Sequence, residues 1–244
     1  MIIPKPQDAL HKMQLYRLLI AILDERWLSQ NLYFKGGSCA AMLGWLDRFS
    51  VDLDFDLNPK ADNKLITKKL FTVFKSLNLE VKTQAKDSPF FVLGYRVRPG
   101  FRNSLKLGIM RERVFANDYR ALYLGEIDRY AICQTKETMV ANKLVALVDR
   151  FKKHHVIAGR DVYDVHYFLS LGYPYKKEII EERRKTTVLD YLLELREFIK
   201  DRITERIITQ DLSYLLPFEK FKAIRKTLKT ETLILIADEI KRLS

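Results

Sequence analysis

Asp52, Asp54 and Asp56 alternate with Val51, Leu53, Phe55 and Leu57. A period of two belongs to a β-strand, whose successive side chains leave opposite faces. The pattern therefore sets three carboxylates along one face of a single strand. Carboxylates held about 4 Å apart repel by roughly 4 kcal/mol at an effective dielectric near ~20. A divalent cation relieves that repulsion, and Mg²⁺ bound by carboxylate oxygens together with phosphates is the usual arrangement. Just upstream, Gly36-Gly37-Ser38 ends a short apolar strand and opens a run that reads as helix. Glycines at such a turn let backbone N–H groups approach a phosphate at a helix N-terminus. A phosphate cradle close to a metal-binding strand is chemistry for moving a nucleotide.

Further along, Lys143 shares a helix face with Met139, Val140 and Leu147 at spacings of three and four. An ammonium in an apolar stripe either snorkels to the rim or needs a negative partner, because its unpaired burial is costly. A nucleoside triphosphate is one such partner. Lys143→Met, which keeps the apolar stem, is then expected to spare the fold. Asp161 and Asp164 stand three apart on the next helix and can face one way. Asp161 falls in the first turn, where a carboxylate also favours the helix dipole. Asp164 is expected to pair with Arg160 or Arg150. Arg48 and Ser50 precede the acidic strand and either support the site or fix the turn into it. Among the histidines, His154 and His155 lie in a lysine-rich loop and read as exposed, and His166 reads as structural. No Ser-His-Asp order, Cys-His pair or HExxH motif offers a competing chemistry.

These groups need a frame. An amphipathic helix runs through Leu10, Met13, Leu18 and Ile22. Strands are expected at 32–34, 51–57, 79–83, 90–97 and 104–109, with helices at 39–46 and 63–77. The remainder reads as helices at 136–151, 161–171, 176–185, 187–208 and 230–243. The expected fold class is α+β: a mixed sheet with helices over residues 1–132, then an α-helical domain over 133–244 that completes the active site.

The chain has 244 residues, ample for a sizeable core, and 48% of them are hydrophobic. Its 43 Lys and Arg against 31 acidic residues leave a net charge of +12, which favours phosphate-bearing partners. Two turns concentrate cations, Arg96-Arg98-Arg102 and Lys152-Lys153-Arg160, and are expected to grip a nucleic acid. Cys39 and Cys133 match no zinc or redox spacing, and Cys39 reads as a small packed residue. No apolar run approaches the ~20 residues that span a bilayer, and the N-terminus lacks a signal-peptide design. A cytoplasmic protein with no membrane partner is expected.

The Gly-Gly-Ser turn, the helix after it and Arg48-Phe49-Ser50-Val51-Asp52-Leu53-Asp54-Phe55 together resemble the DNA polymerase β-like nucleotidyltransferase superfamily. Ala141-Asn142-Lys143-Leu144-Val145-Ala146-Leu147 and Gly159-Arg160-Asp161-Val162-Tyr163-Asp164 narrow the resemblance to the AbiEii-type nucleotidyltransferase toxins, over roughly residues 8–172. The likeness implies that Gly36, Gly37, Ser38 and Lys143 bind the nucleotide and that Asp52 and Asp54 hold Mg²⁺ or Mn²⁺. Lys143 and Asp161 would complete catalysis, with Arg48, Ser50, Asp56, Arg160 and Asp164 in support; the acceptor hydroxyl is activated either by the metal or by a carboxylate base, for which Asp161 is the candidate. It further implies a nucleoside triphosphate donor, a tRNA 3′ end as acceptor and a cognate antitoxin protein. Related folds transfer a nucleotide to protein hydroxyls, so a protein acceptor stays open. The sequence departs from the superfamily at Gly108, where a third acidic residue usually stands. Asp56 or Glu112 is the expected substitute; otherwise the site works with two carboxylates, or it has lost catalysis and only binds nucleotide or RNA.

Overall fold

The structure is a computed structural model that describes residues 1–85, 89–112 and 114–244, the side chain of Asn63 excepted. The chain divides into two compact units, residues 1–113 with 119–134 and residues 114–118 with 135–244.

The first unit is built on a seven-stranded mixed sheet. Its elements in chain order are α1 (Asp8–Asp24), α2 (Arg26–Asn31), β1 (Leu32–Lys35), α3 (Gly36–Met42), β2 (Asp52–Leu57), α4 (Asn63–Ser76), β3 (Glu80–Gln84), β4 (Phe90–Gly94), β5 (Ser104–Met110), β6 (Tyr119–Leu124) and β7 (Arg129–Gln134). The strand order is β3-β4-β5-β2-β1-β7-β6. β2 runs antiparallel to β1 and parallel to β5, so it occupies the middle of the sheet. Alternation then sorts the side chains. Leu53, Phe55, Leu105, Leu107, Phe91 and Phe34 are buried in the core, where α1 contributes Leu15, Leu18, Leu19 and Ile22. α4 adds Ile66, Leu70 and Phe74, whose ring meets Phe91 edge-on at 5.3 Å between centroids. The other face of β2 carries the three aspartates.

β6 and β7 were not legible as strands. β6 is an edge strand with one buried residue, Leu124, so it has little apolar alternation to read. Asp128, in the left-handed region at φ 52°, turns the chain between them. β4 stops at Gly94, short of the expected residue 97, and α3 starts at Gly36 rather than residue 39.

The second unit is helical: α5 (Lys136–His154), α6 (Gly159–Ser170), α7 (Lys177–Arg184), α8 (Val188–Arg202), α9 (Glu205–Leu212), α10 (Phe218–Ile224) and α11 (Leu228–Leu243). Residues 114–118 join it because the N–H groups of Phe115 and Ala116 donate to the Glu182 carboxylate. Thr135 caps α5 by accepting from the Thr138 N–H, and His155 ends it in the left-handed region at φ 54°. The single helix expected over 187–208 is two, because Ile203 leaves the helical region and the Thr204 side chain caps a new start. α6 packs tightly on α9: a Cβ on Gly159 would lie 2.5 Å from the Ile207 carbonyl oxygen. Only glycine allows that approach.

Candidate active site

Asp52 and Asp54 sit in β2 on the sheet face opposite the core, both half-buried, while Leu53 between them and Phe55 after them are fully buried. The glycine turn lies directly against Asp54. Gly36 has φ +78°, a conformation glycine adopts without strain. A Cβ there would stand 2.8 Å from Asp54 Oδ2. On the opposite side, a Cβ on Gly108 of β5 would stand 3.0 Å from Asp54 Oδ1. Two glycines therefore hold open the space that the Asp54 carboxylate fills. A Cβ on Gly37 would approach Ser50 Oγ at 2.9 Å and Arg48 Nη2 at 3.0 Å. Arg48, 2% exposed, thus lies under the turn, and one of its nitrogens donates to the Phe49 carbonyl at 2.9 Å. Ser38 ties the start of α3 to the acidic strand, its hydroxyl donating to the Asp52 carbonyl.

Asp56 continues the carboxylate row but has a different fate. Its Oδ1 accepts from Lys35 Nζ at 2.5 Å, and its Oδ2 accepts from the Tyr119 hydroxyl at 2.9 Å and Gln134 Nε2 at 2.8 Å. It is 6% exposed. Asp56 anchors β1, β6 and β7 to β2, so it does not stand in for the missing third acid. Glu112 lies exposed in the segment after β5. Lys35, Tyr119 and Gln134 escaped the sequence reading because nothing local links them to Asp56.

His11 was missed too. It is buried on α1, with Nε2 2.9 Å from the Val51 carbonyl, the residue before Asp52, and Nδ1 2.7 Å from the Tyr95 hydroxyl. Burial, with Arg102 adding to it against the Val51 hydrogen bond, lowers its pKa to about 4. The neutral ring therefore braces the entry to β2. Cys39 packs beside Cys133, and burial pushes its thiol well above the ordinary range, consistent with a packing role.

In the helical unit, Lys143 is gathered with both predicted aspartates. Its Nζ is 2.7 Å from Asp164 Oδ2 and 3.3 Å from Asp161 Oδ1. Arg150 Nε reaches Asp161 Oδ2 at 3.0 Å. Lys143 is thus a partner of Asp164 that the sequence reading did not name. Both carboxylates are fully buried, and the lysine side chain is 14% exposed. Burial alone would raise the Asp161 pKa, but Lys143 and Arg150 outweigh it and hold the group below its ordinary value. A buried carboxylate kept ionised by two cations is a poor proton acceptor, which corrects its reading as a general base. Its geometry suits orienting Lys143 and Arg150. The Arg160 backbone N–H reaches Asp211 Oδ2 at 3.4 Å.

His154 and His155 are exposed, as expected, and His166 lies 2.8 Å from Glu231. Arg96, Arg98, Arg102 and Lys153 are exposed, whereas Lys152 pairs with Glu194 at 2.9 Å.

Among the described residues no group of three or more His, Cys, Asp or Glu side chains converges as a metal site. Asp52 and Asp54 form a two-carboxylate set instead. That set fits Mg²⁺, which commonly takes one or two carboxylates and completes its shell with substrate phosphates and water. Gly36 and Gly108, lacking side chains, leave room for the Asp54 carboxylate beside the turn.

Comparison with known proteins agrees with this arrangement. No protein of curated function matches the sequence. Several solved structures share the fold. JHP933 from Helicobacter pylori has 21% identity and a TM-score of 0.61, covering 98% of this chain and 94% of that one. A putative nucleotidyltransferase from H. pylori has 20% identity and a TM-score of 0.58, covering 98% and 99%. MenT4, a nucleotidyltransferase toxin from Mycobacterium tuberculosis, has 18% identity and a TM-score of 0.53, covering 97% and 87%. Residues 17–229 match the family described as "Nucleotidyl transferase AbiEii toxin, Type IV TA system". With that match over most of its length, and with the glycine turn seated on an acidic strand, the chain belongs to the AbiEii family of nucleotidyltransferase toxins.

Proposed function

We propose that the protein moves a nucleoside monophosphate from a nucleoside triphosphate to the terminal hydroxyl of a tRNA, in the cytoplasm, restrained by a cognate antitoxin protein. The observation that carries this reading is the contact between the Gly36 turn and Asp54, which brings a phosphate cradle and a carboxylate pair onto one sheet face. Mg²⁺ or Mn²⁺ on Asp52 and Asp54 supplies positive charge for the triphosphate. The backbone of Gly36, Gly37 and Ser38 receives the phosphates, with the buried Arg48 beneath adding fixed positive charge. The acceptor hydroxyl attacks the α-phosphorus in line and its proton passes to water. The bond to the β-phosphate oxygen breaks, and pyrophosphate departs. Lys143, oriented by Asp161 and Asp164, is assigned to the charge that develops on the leaving group, on the strength of the family motif it occupies. The net charge of +12 supports a polyanionic acceptor.

Incubation with each α-phosphate-labelled nucleoside triphosphate, Mg²⁺ and total tRNA tests the reading. Label is expected in RNA, and Asp52→Ala and Asp54→Ala are expected to abolish it. Label in protein would redirect the acceptor assignment, and label in neither would overturn it.

A further inference from the structure

We infer that this site carries a single divalent cation and that Lys106 supplies, as a fixed ammonium on the transferred phosphate, the charge a second cation would provide. The inference rests on the transferase reading above and specifies how its site is built.

Three observations carry it. First, Lys106 pairs in register with Asp52 across the parallel β2–β5 ladder, so the two side chains leave the same face of the sheet. Neighbouring strands are about 4.8 Å apart, and a lysine side chain spans more than that. Second, Lys106 is exposed and makes no ion pair among the described residues. An ammonium beside a carboxylate pair, on the open face, is placed to meet a phosphate brought there. It needs no rearrangement of the sheet to do so.

Third, Gly108 is two residues further along β5 on the same face, in register with Asp54. Its φ is unremarkable for an L residue, so backbone conformation does not demand glycine. Space favours it: a Cβ would stand 3.0 Å from Asp54 Oδ1, so that carboxylate would have to shift by a few tenths of an ångström, while the Phe90 ring at 3.8 Å is in ordinary contact. An aspartate at 108 would displace the carboxylate it was meant to assist. The glycine therefore belongs to a working two-carboxylate design, with the positive charge moved to Lys106. A decayed site predicts the opposite, since restoring the third acid should then help.

Counting bound Mn²⁺ by electron paramagnetic resonance on the full chain, with a non-hydrolysable nucleoside triphosphate present, tests the cation number directly. One tightly held ion per chain is expected. In transfer assays Lys106→Met should lower kcat by about 10²-fold with donor KM changed less than ~3-fold, because the charge acts chiefly as the transition state forms. Lys106→Arg should recover part of the loss. Gly108→Asp should lower both transfer and Mn²⁺ retention, and circular dichroism should show its fold intact. Two Mn²⁺ in an active wild type, normal kcat in Lys106→Met, or increased transfer in Gly108→Asp each overturns the inference and leaves the transferase reading standing. A wild type that binds no Mn²⁺ and transfers nothing overturns both.

Discussion

Asp164, fully buried, has one carboxylate oxygen 2.7 Å from the ammonium of Lys143. The lysine that interrupts the apolar stripe of α5 therefore has carboxylate partners on α6. It already neutralises one buried carboxylate and shares a second, Asp161, with Arg150. Lys143→Met takes from the buried Asp164 the ammonium 2.7 Å away, so the variant is now expected to cost stability. Breaking a buried pair from one side costs on the order of 3 kcal/mol. Urea unfolding should show that loss, and adding Asp164→Asn to Lys143→Met should recover part of it. An unchanged midpoint in the single variant would refute the pairing.

The three aspartates of β2 should separate in their mutational cost. Asp52 is half-buried, so Asp52→Ala should change stability by less than about 1 kcal/mol while abolishing transfer. Asp56→Ala leaves Lys35, Tyr119 and Gln134 without their shared acceptor. The expected loss is roughly 2–4 kcal/mol. Equal thermal midpoints for the two variants would contradict this division.

Gly36→Ala combines two penalties at one position. Alanine is strained at φ +78°, and its Cβ would fall 2.8 Å from Asp54 Oδ2. The conformational term is about 1 kcal/mol, and the steric term is relieved only if the Asp54 carboxylate moves. Transfer should therefore fall by on the order of 10²-fold, far out of proportion to the stability change. Gly44, also at positive φ but with nothing near its absent Cβ, is the control. Gly44→Ala should show the conformational cost alone, with transfer retained.

His11 gives the fold an acid sensitivity. Its ordinary pKa of 6.5 falls to about 4 in the folded state because the ring is buried. Between those values the unfolded chain binds the extra proton, so stability rises with pH. Its contribution is complete above pH 6.5 and is lost progressively as the pH falls toward about 4. At 1.36 kcal/mol for each pH unit the loss is on the order of 3 kcal/mol. Denaturant unfolding across that window should show the slope in the wild type and a flatter profile in His11→Gln. Equal slopes would remove His11 from the account.

Local pattern revealed much of the catalytic strand and its turn. The period of two through residues 51–57 needs no partner to be read, because strand geometry alone sends the carboxylates to one face. The glycines before α3 are likewise a local signal, since they mark where backbone conformation is free. Helical spacing placed Lys143 on the packed side of α5 for the same reason. β6 carries no such signal, since an edge strand with a single buried residue is not obliged to alternate.

Within the row of aspartates, the sequence by itself determined a shared face and nothing about which member is tied to distant strands. Asp56 differs from Asp52 and Asp54 because Tyr119 and Gln134 reach it from 63 and 78 residues away. The pairing of Lys143 with Asp164, and the brace from His11 to Val51, are of the same kind. Periodicity fixes the direction in which a side chain leaves its own backbone. Whether a charge meets a cation, a hydroxyl or water depends on strands and helices that approach it only after the chain has packed.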